Sequence, residues 1–98
     1  MVEFRGRRFG VSICYDIRFP EVSRALALAG CDAILHPTNS PVNYEASYDH
    51  GARTRAWENR VWFVAANRVG TEEDTTCSGR SLIADPFGEV AAAAGGED

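Results

Sequence analysis

Hydrophobic and polar positions alternate from the start of the chain. Val2-Glu3-Phe4-Arg5 and Phe9-Gly10-Val11-Ser12-Ile13 change character nearly residue by residue around Gly6, which predicts a hairpin leading into a core strand that ends at Cys14. Tyr15 to Phe19 read as a turn. Pro20-Glu21 makes a good first helical turn, Val22, Ala25, Leu26 and Ala29 follow at i, i+3, i+4, i+7, and Gly30 supplies the stop. Ala33-Ile34-Leu35-His36 is a second short strand, closed by Pro37 and the turn-forming Thr38-Asn39-Ser40-Pro41.

A more polar helix is expected between Tyr44 and Arg60, interrupted near its start by Gly51, with Tyr48, Ala52, Ala56 and Trp57 on its apolar side. Val61 to Ala66 is apolar on both faces, as in a strand covered on both sides. Gly70 to Gly79 reads as a charged loop. Ser81 to Ala84 and Glu89 to Ala92 pair around the turn Asp85-Pro86-Phe87-Gly88. The order β-β-α-β-α-β-β contains two strand-helix-strand units, so the class is α/β with parallel strands and right-handed crossovers. Two helices cover one face of such a sheet, whereas Val61 to Ala66 asks for cover on both. The chain therefore associates or belongs to something longer.

Composition adds exclusions. The 98 residues carry 10 basic and 14 acidic side chains, a net charge of -4 and 45% hydrophobic residues, and every basic residue is arginine. That length suits one modest domain and is too short for two. Mild acidity argues against nucleic-acid or membrane-surface partners, since phosphate binding needs clustered positive charge, and no apolar run approaches a membrane helix. Three widely spaced cysteines and no signal-peptide pattern predict a reducing, cytoplasmic compartment without disulfides. Cys14, Cys31 and Cys77 with His36 and His50 give no metal-ligand spacing.

Cys14 draws attention by position. It follows a parallel strand and precedes a helix, where side chains project into the crevice beyond the strands' carboxyl ends. A helix N-terminus nearby favours the thiolate. The Tyr15 amide, directly after the cysteine, is placed to donate to an oxyanion. The same spacing also suits a buried structural cysteine.

The segment Gly10-Val11-Ser12-Ile13-Cys14-Tyr15-Asp16-Ile17-Arg18-Phe19-Pro20-Glu21 resembles the nucleophile motif of the nitrilase superfamily, the carbon-nitrogen hydrolases. The resemblance runs on through Ala25 to Gly30, Arg55-Ala56-Trp57-Glu58-Asn59, Ala66-Asn67-Arg68-Val69-Gly70 and Gly79 to Glu89. It implies a four-layer α-β-β-α sandwich, of which residues 1–98 are a middle-to-late part cut off at both ends. It implies Cys14 as nucleophile towards an amide, carbamoyl or nitrile carbon, acting without metal or organic cofactor on small-molecule substrates, in a homo-oligomer when full-length. Such enzymes also use a glutamate base and an oxyanion-binding lysine, both upstream of the cysteine. Here Glu3 is the only acidic residue before Cys14 and lysine is absent, so the chain alone is expected to be inactive.

Within the resemblance, Arg18 matches an arginine that binds the substrate carboxylate in N-carbamoyl amino acid hydrolases, and an ion pair with Asp16 or Glu21 is the alternative. Asn39 matches a substrate-side asparagine of the same subgroup, and turn chemistry beside Ser40-Pro41 explains it equally. Arg55, Glu58 and Asn67 are read as packing or ion-paired positions. His36 and His50 are read as ordinary hydrogen-bonded histidines, and Cys31 and Cys77 as bystanders. Trp57, Trp62 and Phe63 are read as core. The Asn67 to Glu72 and Ile83 to Glu89 stretches resemble carbamoyl-group amidases more than true nitrilases, with ω-amidase-like action on a dicarboxylate monoamide the nearest neighbour. Two rivals remain: a non-catalytic fragment or pseudoenzyme acting by association, and a redox thiol module pairing Cys14 with Cys31.

Overall fold

The computed structural model describes residues 2–38, 45–67, 69–72, 75–78 and 81–93. Strands β1 (Val2–Phe4) and β2 (Arg7–Val11) form the expected hairpin. Its turn residues Arg5 and Gly6 have φ of 50° and 79°, the left-handed pair that matches the twist of a two-residue hairpin. A five-residue 3-10 helix, Cys14–Arg18, follows, then α1 (Pro20–Leu28), β3 (Ala33–Thr38), α2 (Glu45–Asn59) and β4 (Trp62–Asn67). The chain continues through β5 (Val69–Glu72), β6 (Thr75–Ser78), β7 (Leu82–Ala84) and β8 (Val90–Ala93).

Six strands make one sheet in the order β1-β2-β3-β4-β7-β8, with β2, β3 and β4 parallel. Because the strand order advances in one direction and right-handed crossovers are followed, α1 and α2 lie on the same face. Register sets which side chains they cover: Gly10, Ile34, Phe63 and Ala84 share one rung, and His36, Ala65 and Leu82 the next. Ile34, Phe63, Ala65 and Ala84 are at most 1% exposed there, packed with Ala52 and Ala56 of α2.

The opposite parity behaves differently. Val2, Phe4, Val11, Leu35 and Trp62 are all exposed on the second face. The apolar run at β4, expected to be covered twice, is covered once by this chain, and Trp62 joins an open apolar sheet surface. Trp57 of α2 is also exposed rather than core.

Three local differences have physical reasons. The turn after β2 is helical because the Asp16 carboxylate accepts the Ile13 N–H at 2.9 Å while Asp16 N–H donates to the Ile13 carbonyl at 3.0 Å. Val69–Glu72 and Thr75–Ser78 form an antiparallel hairpin instead of a charged loop, consistent with their β-branched content. In α1 Ser23, Leu26 and Ala27 face inward; of the expected stripe Leu26 packs on the core and Val22 is half-buried, while Ala25 and Ala29 are exposed. The helix comes close to the sheet at Gly10, where an added Cβ would meet the Leu26 side chain at 3.0 Å.

Candidate active site

The parallel strands β2, β3 and β4 all point their carboxyl ends to one edge, and the segments holding Cys14, Arg18 and Asn39 follow β2 and β3 there. Backbone positions Cys14 and Tyr15 open the 3-10 helix three residues beyond β2. Asp16 N–H donates to the Ile13 carbonyl and Phe19 N–H to the Asp16 carbonyl, and Cys14 and Tyr15 stand at the head of this helical turn, where N–H groups lack partners within the helix. Five residues carry little of the macrodipole expected of a longer helix, and α1 begins only at Pro20.

Several contacts fix this helix in place. Ile17 is buried against the core, a side chain worth about 2 kcal/mol of transfer free energy. It packs where α2 has Gly51: a Cβ there would meet Ile17 Cγ1 at 3.1 Å. Gly51 therefore does not interrupt α2, which runs through it; it makes room for Ile17 and the 3-10 turn that begins at Cys14. Arg55 Nε donates to the Ile17 carbonyl at 3.0 Å, and Arg55 Nη1 pairs with Glu58 at 2.7 Å in a part-buried bridge. Phe19, before Pro20, is extended at φ -110° and ψ 102°, as the proline ring requires, and its N–H closes on the Asp16 carbonyl.

Arg18 ends the 3-10 helix and is exposed. Asn39 follows β3 directly and lies outside the described residues. Glu3 pairs across the hairpin with Arg8, near the beginning of β2 and remote from the edge that carries Cys14. His36 is buried in the second half of β3, hydrogen-bonded through Nδ1 to Ser12 Oγ at 2.6 Å and packed at a tilt against Phe63. His50 is exposed and lines an open groove of about 350 Å³ with Arg53, Thr54, Trp57, Phe87 and Gly88. That groove includes the turn after β7, which lies beside the start of β4 at the opposite edge of the sheet. Cys31 is a buried free thiol, and burial foremost pushes its pKa up, the Asp32 charge adding to the effect. Among the described residues no cluster of His, Cys, Asp and Glu has the geometry of a metal site, and no helix is long and apolar enough to cross a membrane.

Sequence reasoning missed Asp16, Ile17 and Gly51 as supports of the turn that begins at Cys14, whereas Arg55 and Glu58 form an ion pair as expected. The available signal was Asp16 three residues after Ile13, the spacing of a side-chain cap.

Comparison with known proteins identifies the family to which this α/β layer, with a cysteine beyond the exit of its first parallel strand, belongs. The carbon-nitrogen hydrolase family model matches residues 1–98. The chain is 45% identical over 95 residues to a Pseudomonas protegens protein described as a hydrolase in the pqqF 5' region, covering 97% of this chain and 33% of that protein. An (R)-stereoselective amidase of a Pseudomonas species is 39% identical over 98 residues, covering 99% of this chain and 36% of the amidase. Among solved structures, an amidase from Nesterenkonia sp. AN1, with the acetamide moiety of fluoroacetamide on its active-site cysteine, superimposes at a TM-score of 0.92. It is 30% identical, covering 98% of this chain and 36% of that one. The chain belongs to the carbon-nitrogen hydrolase family, in the nitrilase superfamily, and spans about a third of the length of these relatives.

Proposed function

We propose that this chain carries the nucleophile of a hydrolase of amide or N-carbamoyl bonds. The Cys14 thiolate attacks the carbonyl carbon, forming a C–S bond and a tetrahedral oxyanion that the Tyr15 N–H stabilises. The C–N bond then breaks, ammonia or an amine leaves with a proton, and water hydrolyses the thioester to the acid. Arg18 and Asn39 are the substrate-side residues of this scheme, which needs no metal or organic cofactor. A base and a lysine complete it from outside these 98 residues. A cytoplasmic location and self-association of the full-length protein belong to the same reading.

The observation that carries it is the placement of Cys14 at the head of a braced turn on the carboxyl edge of the parallel strands, in a chain whose relatives include amidases. A second reading, a non-catalytic fragment, is favoured by one fact, the complete absence of lysine.

The test is ammonia release from a panel of aliphatic amides and N-carbamoyl amino acids. The 98-residue chain is expected to release none, and a longer protein that adds an upstream glutamate and lysine is expected to turn over, with Cys14→Ala abolishing it. Cys14-dependent turnover by the 98 residues alone overturns the external base. An inactive longer protein favours the fragment.

A further inference from the structure

Ser12, Ser23 and His36 are the buried polar residues described in this chain, and two of them are bonded to each other at the rung nearest the proposed nucleophile. Ser12 continues the β2–β3 ladder by one step, its N–H donating to the Leu35 carbonyl at 3.1 Å. On the helix-covered side its Oγ meets His36 Nδ1 at 2.6 Å, both residues being 1% exposed. Which atom carries the proton depends on the imidazole tautomer.

Gly10 apart, every other buried residue described on that face of the two rungs carries an apolar side chain: Ile34, Phe63, Ala65, Leu82 and Ala84. Apolar packing tolerates sliding and rotation, whereas a buried hydrogen bond is directional and its loss strands a polar group. Two residues beyond Ser12 the chain reaches Cys14, and three residues beyond His36 it reaches Asn39. The bond therefore ties together the exits of two strands just before each delivers a residue to the same edge. Phe63 fixes the imidazole plane from β4 at a centroid distance of 5.4 Å.

We propose that Ser12 and His36 are a positioning pair, setting the orientation of the Cys14 turn against the exit of β3. This rests on Cys14 being the nucleophile. Neither side chain touches the reacting atoms; they act through the backbone of residues 12–14 and 36–38.

The test is the rate of Cys14 alkylation by iodoacetamide in the 98-residue chain, resolved by peptide mass spectrometry and measured across about pH 6 to 10 to obtain the thiol's apparent pKa. Buried Cys31 serves as the internal gauge of global loosening. Ser12→Ala and His36→Phe are expected to slow Cys14 by about tenfold or raise its apparent pKa, with Cys31 protection unchanged. Ser12→Thr, which keeps the hydroxyl, is expected to react like the wild type, and the double variant no more slowly than either single one. Cys14 rates that stay unchanged, or that move in step with Cys31, overturn the positioning role and leave the nucleophile reading intact. A Cys14 that is inert at every pH in the wild type overturns both.

Discussion

Arg55 reaches from α2 to the carbonyl of Ile17 at 3.0 Å while holding Glu58 at 2.7 Å, so a single guanidinium braces the turn that begins with Cys14. Its side chain is 12% exposed, which keeps the bond out of competition with water. Arg55→Ala is expected to destabilise the chain by about 2 kcal/mol, as for other charge-assisted bonds to buried partners. Urea unfolding monitored by circular dichroism measures it. Arg55→Lys recovers little, because an ammonium lacks the fork that serves both partners.

The Asp16 carboxylate is the cap of that same turn, accepting the Ile13 N–H at 2.9 Å. Asp16→Ala is expected to cost about 1 kcal/mol, and Asp16→Asn, which keeps an oxygen acceptor, less than half of that. Midpoints of denaturant unfolding at constant m-value report both.

Cys31 gives a pH signature of known sign. Burial holds its thiol pKa above the ordinary value, so the folded state retains the proton where the unfolded chain has lost it. Stability is thus unaffected below the usual thiol range and falls as pH rises above it, towards the raised folded pKa. Cys31→Ala is expected to flatten that alkaline slope. Melting temperatures compared at neutral and alkaline pH decide the matter.

At Gly88, φ is 82°, and an added Cβ would meet Trp57 Cβ at 3.1 Å and the Arg53 carbonyl at 3.3 Å. The Gly88 carbonyl also accepts Arg53 Nε at 2.7 Å. Gly88→Ala is expected to cost about 1 to 2 kcal/mol through left-handed strain, more if α2 shifts. A lowered melting temperature with unchanged Cys14 alkylation is the expected result, since the turn lies at the far edge of the sheet.

How far the sequence spoke depended on whether its signals were periodic. Gly6 between two alternating runs marked the first hairpin, and Pro20 with Gly30 bracketed α1 to within two residues of its bounds. Cys14 stood out through its motif and its place after a strand. The 3-10 helix was hidden because it is only five residues long, too short to show a period, and among its described side chains Ile17 is the one that packs into the core. Val69–Glu72 and Thr75–Ser78 were masked by the acidic run Glu72-Glu73-Asp74, although valine and threonines favour strands. The Ser12–His36 bond was unreadable for a different reason: it is a long-range pair, and nothing in a strand's own alternation says which polar residue on the neighbouring strand will meet it.

Asp32 sits at the other end of the parallel strands. Its N–H donates to the Arg8 carbonyl at 2.7 Å, its carboxylate accepts Arg8 N–H at 2.9 Å, and its carbonyl accepts Trp62 N–H at 3.2 Å, so one residue laces β2, β3 and β4 together where they begin. The sheet thereby has a laced end at Asp32 and, at the other end of the same strands, an edge from which the loops after β2 and β3 depart. The loops that follow β2 and β3 can therefore vary without unpicking the strands, whose common start is held by the backbone and carboxylate of Asp32.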